Sequence, residues 1–438
     1  MSKTVTVIGA GLAGCEAAWQ IAKRGIPVRL IEMKPLKFSP AHKIEGFAEL
    51  ICSNSFKAAR VDSAAGLLKE EMRRLGSLLL SAAAECSVPA GGALAVNRES
   101  FSAAVTAAIK AHPNITVISE VAEEIPRDGI TIVATGPLTE GKLAENIKQL
   151  CGRDYLSFYD AAAPIVTAES LLEEQLFLAS RYGKGNGDDY INCPMNQEEY
   201  LHFYKELISA EAAPLHEFDA APAVYEGCMP VEIMAKRGQD TLRFGPLKPV
   251  GLRDPKTGHR PWAVVQLRKE NAQGSLYNLV GFQTNLKFGE QKRVFGLIPA
   301  LANAEFVRYG VMHRNTFLDA PRLLGSDYAL LEHPDIYFAG QITGVEGYME
   351  SAASGLLAGI NAANKLSGLS PFVLPPVTML GALTAHVIDT SVKDYQPMGA
   401  NFGIMPPLEL TIRDKRARYA AFSERALEAV EQSNNLTL

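Results

Sequence analysis

The sequence holds no C-x-x-C: its six cysteines, at 15, 52, 86, 151, 193 and 228, stand far apart along 438 residues. A redox dithiol, a pyridine nucleotide-disulfide reductase and a zinc site are therefore disfavoured, no metal is expected, and free thiols in a reducing cytoplasm fit best. Long apolar runs are missing too. No stretch reaches the ~20 residues that cross a bilayer, so no membrane association is predicted. The chain opens on a beta-like run, Thr4 to Ile8, that passes into a glycine turn and a segment carrying Glu16, Gln20, Lys23 and Arg24, a pattern that predicts no secretory signal. There is no basic excess: the formal charge of −5 weighs weakly against nucleic acid as a partner. That average hides residues 236–269, where nine Lys or Arg (236, 237, 243, 248, 253, 256, 260, 268 and 269) face only Asp240 and Asp254, locally +7. A solvated face and a polyanion site explain such a run equally well.

With 47% apolar and 21% charged residues, the chain has material for two or three domains. Residues 4–33 read as strand, glycine turn, helix and strand, the last being Val28 to Glu32. Helical spacing over Ser63 to Ala84, a strand at Ala93 to Val96, a helix from Phe101 to Ala111 with Asn97 as a possible cap, and strands at Thr116 to Ser119 and Ile130 to Ala134 continue the alternation. A doubly wound sheet follows. From about Tyr155 the pattern changes to a glycine and acid-rich loop, a helix near Gln197 to Ala210 and beta-rich runs between Val224 and Leu286. A long helical pattern, Glu290 to Val307, precedes a returning strand at Asp335 to Gln341 and a small-residue helix, Ser351 to Lys365. The expected architecture is α/β: a Rossmann-like doubly wound domain over residues 1–154 and 331–438, interrupted by an inserted α+β domain over 155–330.

Gly9-Ala10-Gly11-Leu12-Ala13-Gly14 is G-x-G-x-x-G, and its setting between a strand and a helix gives it weight. Gly9 permits the tight turn, Gly11 lets the backbone approach a pyrophosphate, and Gly14 allows close helix–strand packing. Glu32, ending the second strand, is placed to accept hydrogen bonds from an adenosine ribose. Two later segments favour FAD as the dinucleotide. One is Ile132 to Pro137, with Gly136; the other is Ile336 to Ala363, where a strand delivers Gly340 and Gln341 to a helix rich in Ala, Ser and Gly. Small side chains there allow close approach by a flavin, or close helix packing.

Several further segments carry a resemblance over essentially the whole chain: "ELICSNSFK" (49–57), "YEGCMPVE" (225–232), "RPWAVVQLRKEN" (260–271), "NLVGFQTNLKFGEQKRVF" (278–295) and "FAGQITGVEGYMESAASGLLAGINAA" (338–363). In them the chain resembles the bacterial folate- and FAD-dependent tRNA uracil-5-methyltransferases. The last segment is also close to a sister family that modifies wobble uridines, whose additional C-terminal helical region is not expected in this chain. The resemblance implies that methylenetetrahydrofolate gives the carbon, reduced FAD the electrons, and NADH or NADPH the recharge, turning a T-loop uridine of tRNA into ribothymidine. Alternatives are the wobble-uridine chemistry, ribosomal RNA as substrate, and a non-catalytic FAD-containing RNA-binding protein. No protein partner is predicted.

Uracil C5 is a poor nucleophile, and addition of a thiolate at C6 makes it an enolate carbon able to attack a methylene. A free thiol near pKa ~8.5 needs nearby positive charge or a helix N-terminus for this. Cys52 has Lys57, Ser53, Asn54 and Ser55 beside it in sequence; Cys228 has Glu226 and Glu232 close by, with Lys236 and Arg237 beyond. By the resemblance, Cys228 matches the cysteine associated with attack on uracil. Cys52 matches a second one lining the flavin pocket, which would handle the C5 proton or support the methylene carrier; the opposite assignment stays open. Cys15, Cys86, Cys151 and Cys193 are expected to be inert. The basic run 236–269, extended by Arg413, Lys415, Arg416 and Arg418, is the candidate RNA surface. Trp262 or Tyr348 is the candidate to help stack the pterin.

Overall fold

The structure, a computed structural model, describes residues 4–39, 41–152, 156–161, 163–213, 229–269, 274–310, 312–392, 395 and 397–435. Four strands and the late return strand form one parallel sheet, ordered Ile336–Phe338, Thr131–Val133, Val5–Ile8, Val28–Glu32 and Ile115–Ser119. Its central strands Val5–Ile8 and Thr131–Val133 are buried along their whole length, as expected of a parallel sheet covered on both faces. The strand order reverses at Val5–Ile8, and the crevice outside the carboxyl ends at such a point is where a doubly wound sheet takes its ligand.

The helix Leu12–Ala22 lies against the helix Tyr348–Leu366. A methyl group on Gly355 would sit 2.1 Å from the carbonyl oxygen of Ala13, and one on Gly359 would sit 2.6 Å from that of Ala17. The small residues in the middle of the late helix thus serve helix packing, and only its first turn is left for a ligand.

A second core surrounds a six-stranded antiparallel sheet ordered Phe177–Leu178, Tyr190–Met195, Ala263–Lys269, Leu276–Leu279, Ile165–Thr167 and Phe306–Arg308. The two crossings between the cores pair with each other, Leu156–Ala161 against Met312–Phe317. Residues 317–330 already pack in the first core, through Phe317, Leu324, Tyr328 and Leu330 among others. We propose that paired crossing as the limit of the inserted unit.

Two expected helices are shorter than their apolar patterns. Ser63 to Ala84 forms two helices, Ala64–Arg74 and Leu78–Glu85, divided at Gly76, whose φ of +73° ends the first. The second begins on Ser77 and on the buried carboxylate of Glu16, which accepts the amides of Leu78 and Leu79 and the Ser77 hydroxyl. The pattern Glu290 to Val307 is α-helical only as far as Phe295, in the helix Phe288–Phe295, after which Gly296 and a 3-10 turn at Pro299–Leu301 lead the chain into the edge strand Phe306–Arg308.

Candidate active site

A cleft of about 480 Å³ opens at the carboxyl ends of the first sheet, within the ~300–1,000 Å³ common for ligand sites. Gly9, Ala10, Gly11, Leu12, Ala13, Glu32, Gly136, Gly340 and Gln341 all line it. Gly14 stands one turn behind, where a methyl group would meet the Gly9 carbonyl oxygen at 1.8 Å. Gly9, with φ of +98°, leaves no room either: its methyl would lie 2.6 Å from the Ala134 carbonyl oxygen. Gly11 differs, since a methyl there would have nothing within 4 Å. Its missing side chain answers no need of the fold and instead leaves the backbone bare toward the cleft.

The helix behind Gly11 has neither a side-chain cap nor an acidic residue in its first turn. Its first amides keep their hydrogen-bonding capacity and the positive end of the helix dipole for an anion. Glu32 is buried beside it, accepting the Ala10 amide at 2.6 Å and the Lys34 amide at 3.0 Å. Each oxygen retains acceptor capacity for a sugar hydroxyl. A dinucleotide fits these residues: a bare backbone turn for the pyrophosphate, a fixed carboxylate for the ribose, and a wide cleft continuing past Gly340 to Tyr348 for the rest of FAD.

Cys52 lies on that far wall. Its sulfur is 3.1 Å from the hydroxyl oxygen of Tyr348, which also accepts the amides of Cys52 at 2.7 Å and Ser53 at 3.1 Å. The neutral thiol donates to this oxygen, and once Cys52 is ionised the phenolic O–H is the group that donates back to the sulfur. Burial and the neighbouring Cys52 push the Tyr348 pKa well above its ordinary value, keeping that proton in place. The loop is further tied by three arginines. Arg98 donates to the carbonyls of Leu50 and Ile51, Arg308 to that of Ile51, and Arg268 to Asn54 Oδ1 at 2.9 Å and Ser53 Oγ at 2.7 Å. Lys57, at the loop's end, pairs with Glu350 at 2.8 Å. An electropositive frame of this kind favours the thiolate form of a cysteine.

Sequence reading missed those arginines, which lie from 46 to 256 residues away from Cys52 along the chain and carry no local signal. It also placed Arg268 on a surface, whereas the side chain is buried against a fully buried Asn54, whose amide nitrogen in turn donates to the Lys269 carbonyl at 2.8 Å. Trp262 does not line the cleft; the Arg243 guanidinium covers its ring at 3.8 Å. Tyr348 does line it, with its hydroxyl committed to the Cys52 loop.

Cys228 lies outside the described residues. The stretch that follows it is fastened to the cleft wall: Val231 donates its amide to the carbonyl of Gln283, which lines the cleft, and buried Glu232 accepts the Asn285 amide and the Thr284 hydroxyl, each at 2.8 Å. The remaining thiols are quiet. Burial pushes Cys15 and Cys193 up strongly, Cys151 to about 11, and raises Cys86 as well, so all four stay protonated near neutrality. Among the described residues, no helix is long and apolar enough to cross a membrane.

The chain is similar to several known proteins. A family model described as glucose inhibited division protein A matches residues 4–370. The protein named methylenetetrahydrofolate--tRNA-(uracil-5-)-methyltransferase TrmFO of Acetivibrio thermocellus is 61% identical over 428 residues, 98% of each chain. The protein of that name from Heliobacterium modesticaldum is 59% identical over 98% of this chain and 97% of its own. The solved structure of Aquifex aeolicus GidA in its form II crystal shares the fold, with a TM-score of 0.70 at 15% identity over 99% of this chain and 75% of that one. The chain belongs to the glucose inhibited division protein A family and, within it, to the methylenetetrahydrofolate–tRNA-(uracil-5-)-methyltransferases.

Proposed function

We propose that the protein methylates C5 of the T-loop uridine of tRNA, with methylenetetrahydrofolate as carbon donor, reduced FAD as reductant and NADH or NADPH to restore it. The observation that carries this reading is the meeting, in one cleft, of a dinucleotide turn at Gly9–Gly14 and a framed thiol at Cys52. The relatives' names supply the substrate pair. When bound, FAD supplies the two electrons that turn the transferred methylene into a methyl group.

The chain's own residues do the remainder. Gly11 and the helix start behind it hold the pyrophosphate and Glu32 the ribose, while Gly136, Gly340 and Gln341 border the rest of the dinucleotide. A thiolate, assigned to Cys228, adds to uracil C6. The C4–C5 enolate then attacks the methylene, loss of the C5 proton expels tetrahydrofolate as the methylene–nitrogen bond breaks, and the thiolate leaves C6 once two electrons and a proton have completed the methyl. Cys52, held by Tyr348 and flanked by three arginines, takes the C5 proton as a thiolate beside the bound carbon donor. The target uridine must leave its stack, at a cost of a few kcal/mol. Exposed Lys236, Arg237, Lys248, Arg253, Lys256 and Arg260, with Arg413, Lys415 and Arg416, offer the phosphate contacts.

The test uses T-arm RNA carrying 5-fluorouridine, whose fluorine cannot leave as a proton, so that the C6 adduct persists. Wild type and Cys52→Ala should retain a covalent protein–RNA band under denaturing conditions, and Cys228→Ala should not. A band that persists in Cys228→Ala and vanishes in Cys52→Ala would reverse the two roles.

A further inference from the structure

Phe244 is the most exposed large apolar side chain among the described residues, at 82%. It is rigidly mounted. The short helix Thr241–Phe244 is pinned beneath by Leu242 and Leu247, both fully buried in the second core, and the Leu247 carbonyl accepts the Val264 amide at 3.1 Å. Next to it, Arg243 is fixed by Asp240 at 2.6 Å, by the Trp262 carbonyl at 3.0 Å and by the Trp262 ring. The ring of Phe244 is thus left projecting from a braced corner.

Its surroundings are cationic. The preceding helix, Val231–Lys236, packs on the same corner, with Met234 beside Gly245, and ends in exposed Lys236 and Arg237. Lys248 is exposed four residues beyond Phe244. Asp240, the one carboxylate of this hairpin after Glu232, is paired with Arg243, while Lys236 and Lys248 stand exposed at the corner. The hairpin also begins at Val231, whose amide is bonded to cleft-lining Gln283.

An aromatic face beside exposed lysines recognises an unstacked nucleobase and its flanking phosphates, whereas the core of a protein-binding patch is depleted in charge. We propose that Phe244 is a stacking platform for a base of the RNA substrate, displaced when the target uridine is extruded, with Lys236 and Lys248 holding phosphates on either side. This rests on RNA being the substrate and assigns one residue a place on it.

The test is equilibrium binding of tRNA by the FAD-loaded protein over a range of salt, with Phe244→Ala, Phe244→Trp and the double variant Lys236→Gln/Lys248→Gln. Stacking predicts a roughly 5- to 150-fold rise in Kd for Phe244→Ala with the salt slope unchanged, and recovery in Phe244→Trp. The double lysine variant should flatten the slope by roughly 1.5 to 2. Flavin content should match wild type in all, since Phe244 supports no core. Wild-type affinity in Phe244→Ala overturns the platform, as does a change of oligomeric state in Phe244→Ala without loss of tRNA affinity, which would make the ring a contact between copies. A wild-type protein that binds no tRNA would instead defeat the RNA reading itself.

Discussion

The sulfur of Cys52 and the hydroxyl of Tyr348, 296 residues apart in sequence, stand 3.1 Å from each other on the wall of the dinucleotide cleft. Tyr348→Phe removes that hydroxyl and leaves the amides of Cys52 and Ser53 without their acceptor. Alkylation of Cys52 by iodoacetamide at pH 7 should slow roughly 10- to 150-fold, since a hydrogen bond to a charged group contributes ~1.5–3 kcal/mol. Mass mapping of the modified peptide reads this directly, and an unchanged rate would show that the phenol does not act on the sulfur.

The fingerprint glycines separate by what they face. Gly14→Ala should fold poorly, because its methyl would lie 1.8 Å from a backbone oxygen. Gly11→Ala should fold with a melting temperature near that of wild type and yet bind FAD at least tenfold more weakly, its methyl occupying the space the cofactor needs. Thermal denaturation of the apoprotein paired with flavin absorbance distinguishes the two.

Arg268 shares the second sheet's hold on the Cys52 loop with Arg308 and the Lys269 carbonyl. Arg268→Ala strands buried Asn54 Oδ1 and should cost ~1–3 kcal/mol in chemical denaturation. Arg268→Lys should rescue little, because the paired contacts to Asn54 and Ser53 use the guanidinium fork.

This lock marks the limit of what the sequence discloses. The strand Val28–Glu32, the Asn97 cap, which accepts the Ser100 amide, and the late return strand were all legible, because local patterning and turn chemistry decide them. The fingerprint was legible because its glycines must be adjacent. Arg98, Arg268, Arg308 and Tyr348 reach the Cys52 loop only through tertiary folding, and nothing near them in sequence says so. The two overlong helices failed for a related reason: apolar periodicity continued across Gly76 and Gly296, where the backbone turned.

Burial also writes a pH dependence into the fold. Glu71 caps the helix Met379–Val387 from a distance, accepting the amides of Met379 at 2.7 Å and Leu380 at 2.8 Å, and burial pushes its pKa up to about 8 against the pull of those two bonds. A carboxyl raised in the folded state binds more protons folded than unfolded between its ordinary 4.5 and 8. Its contribution is therefore complete below pH 4.5 and is lost as pH rises through 8. Denaturant midpoints of wild type should fall from pH 5 to pH 8.5 more steeply than those of Glu71→Gln; equal slopes would show that Glu71 is ionised throughout.

The central claim is that this cleft carries folate-dependent methylation of a T-loop uridine, and one measurement addresses it most directly. FAD-loaded protein is incubated with unmodified tRNA transcript, methylenetetrahydrofolate and NADH or NADPH, and the nuclease fragments are then weighed. The account predicts a gain of one methyl group, as ribothymidine, in the T-loop fragment, dependent on the folate. An unmodified T-loop fragment, or an aminomethyl derivative at the wobble position, would contradict it.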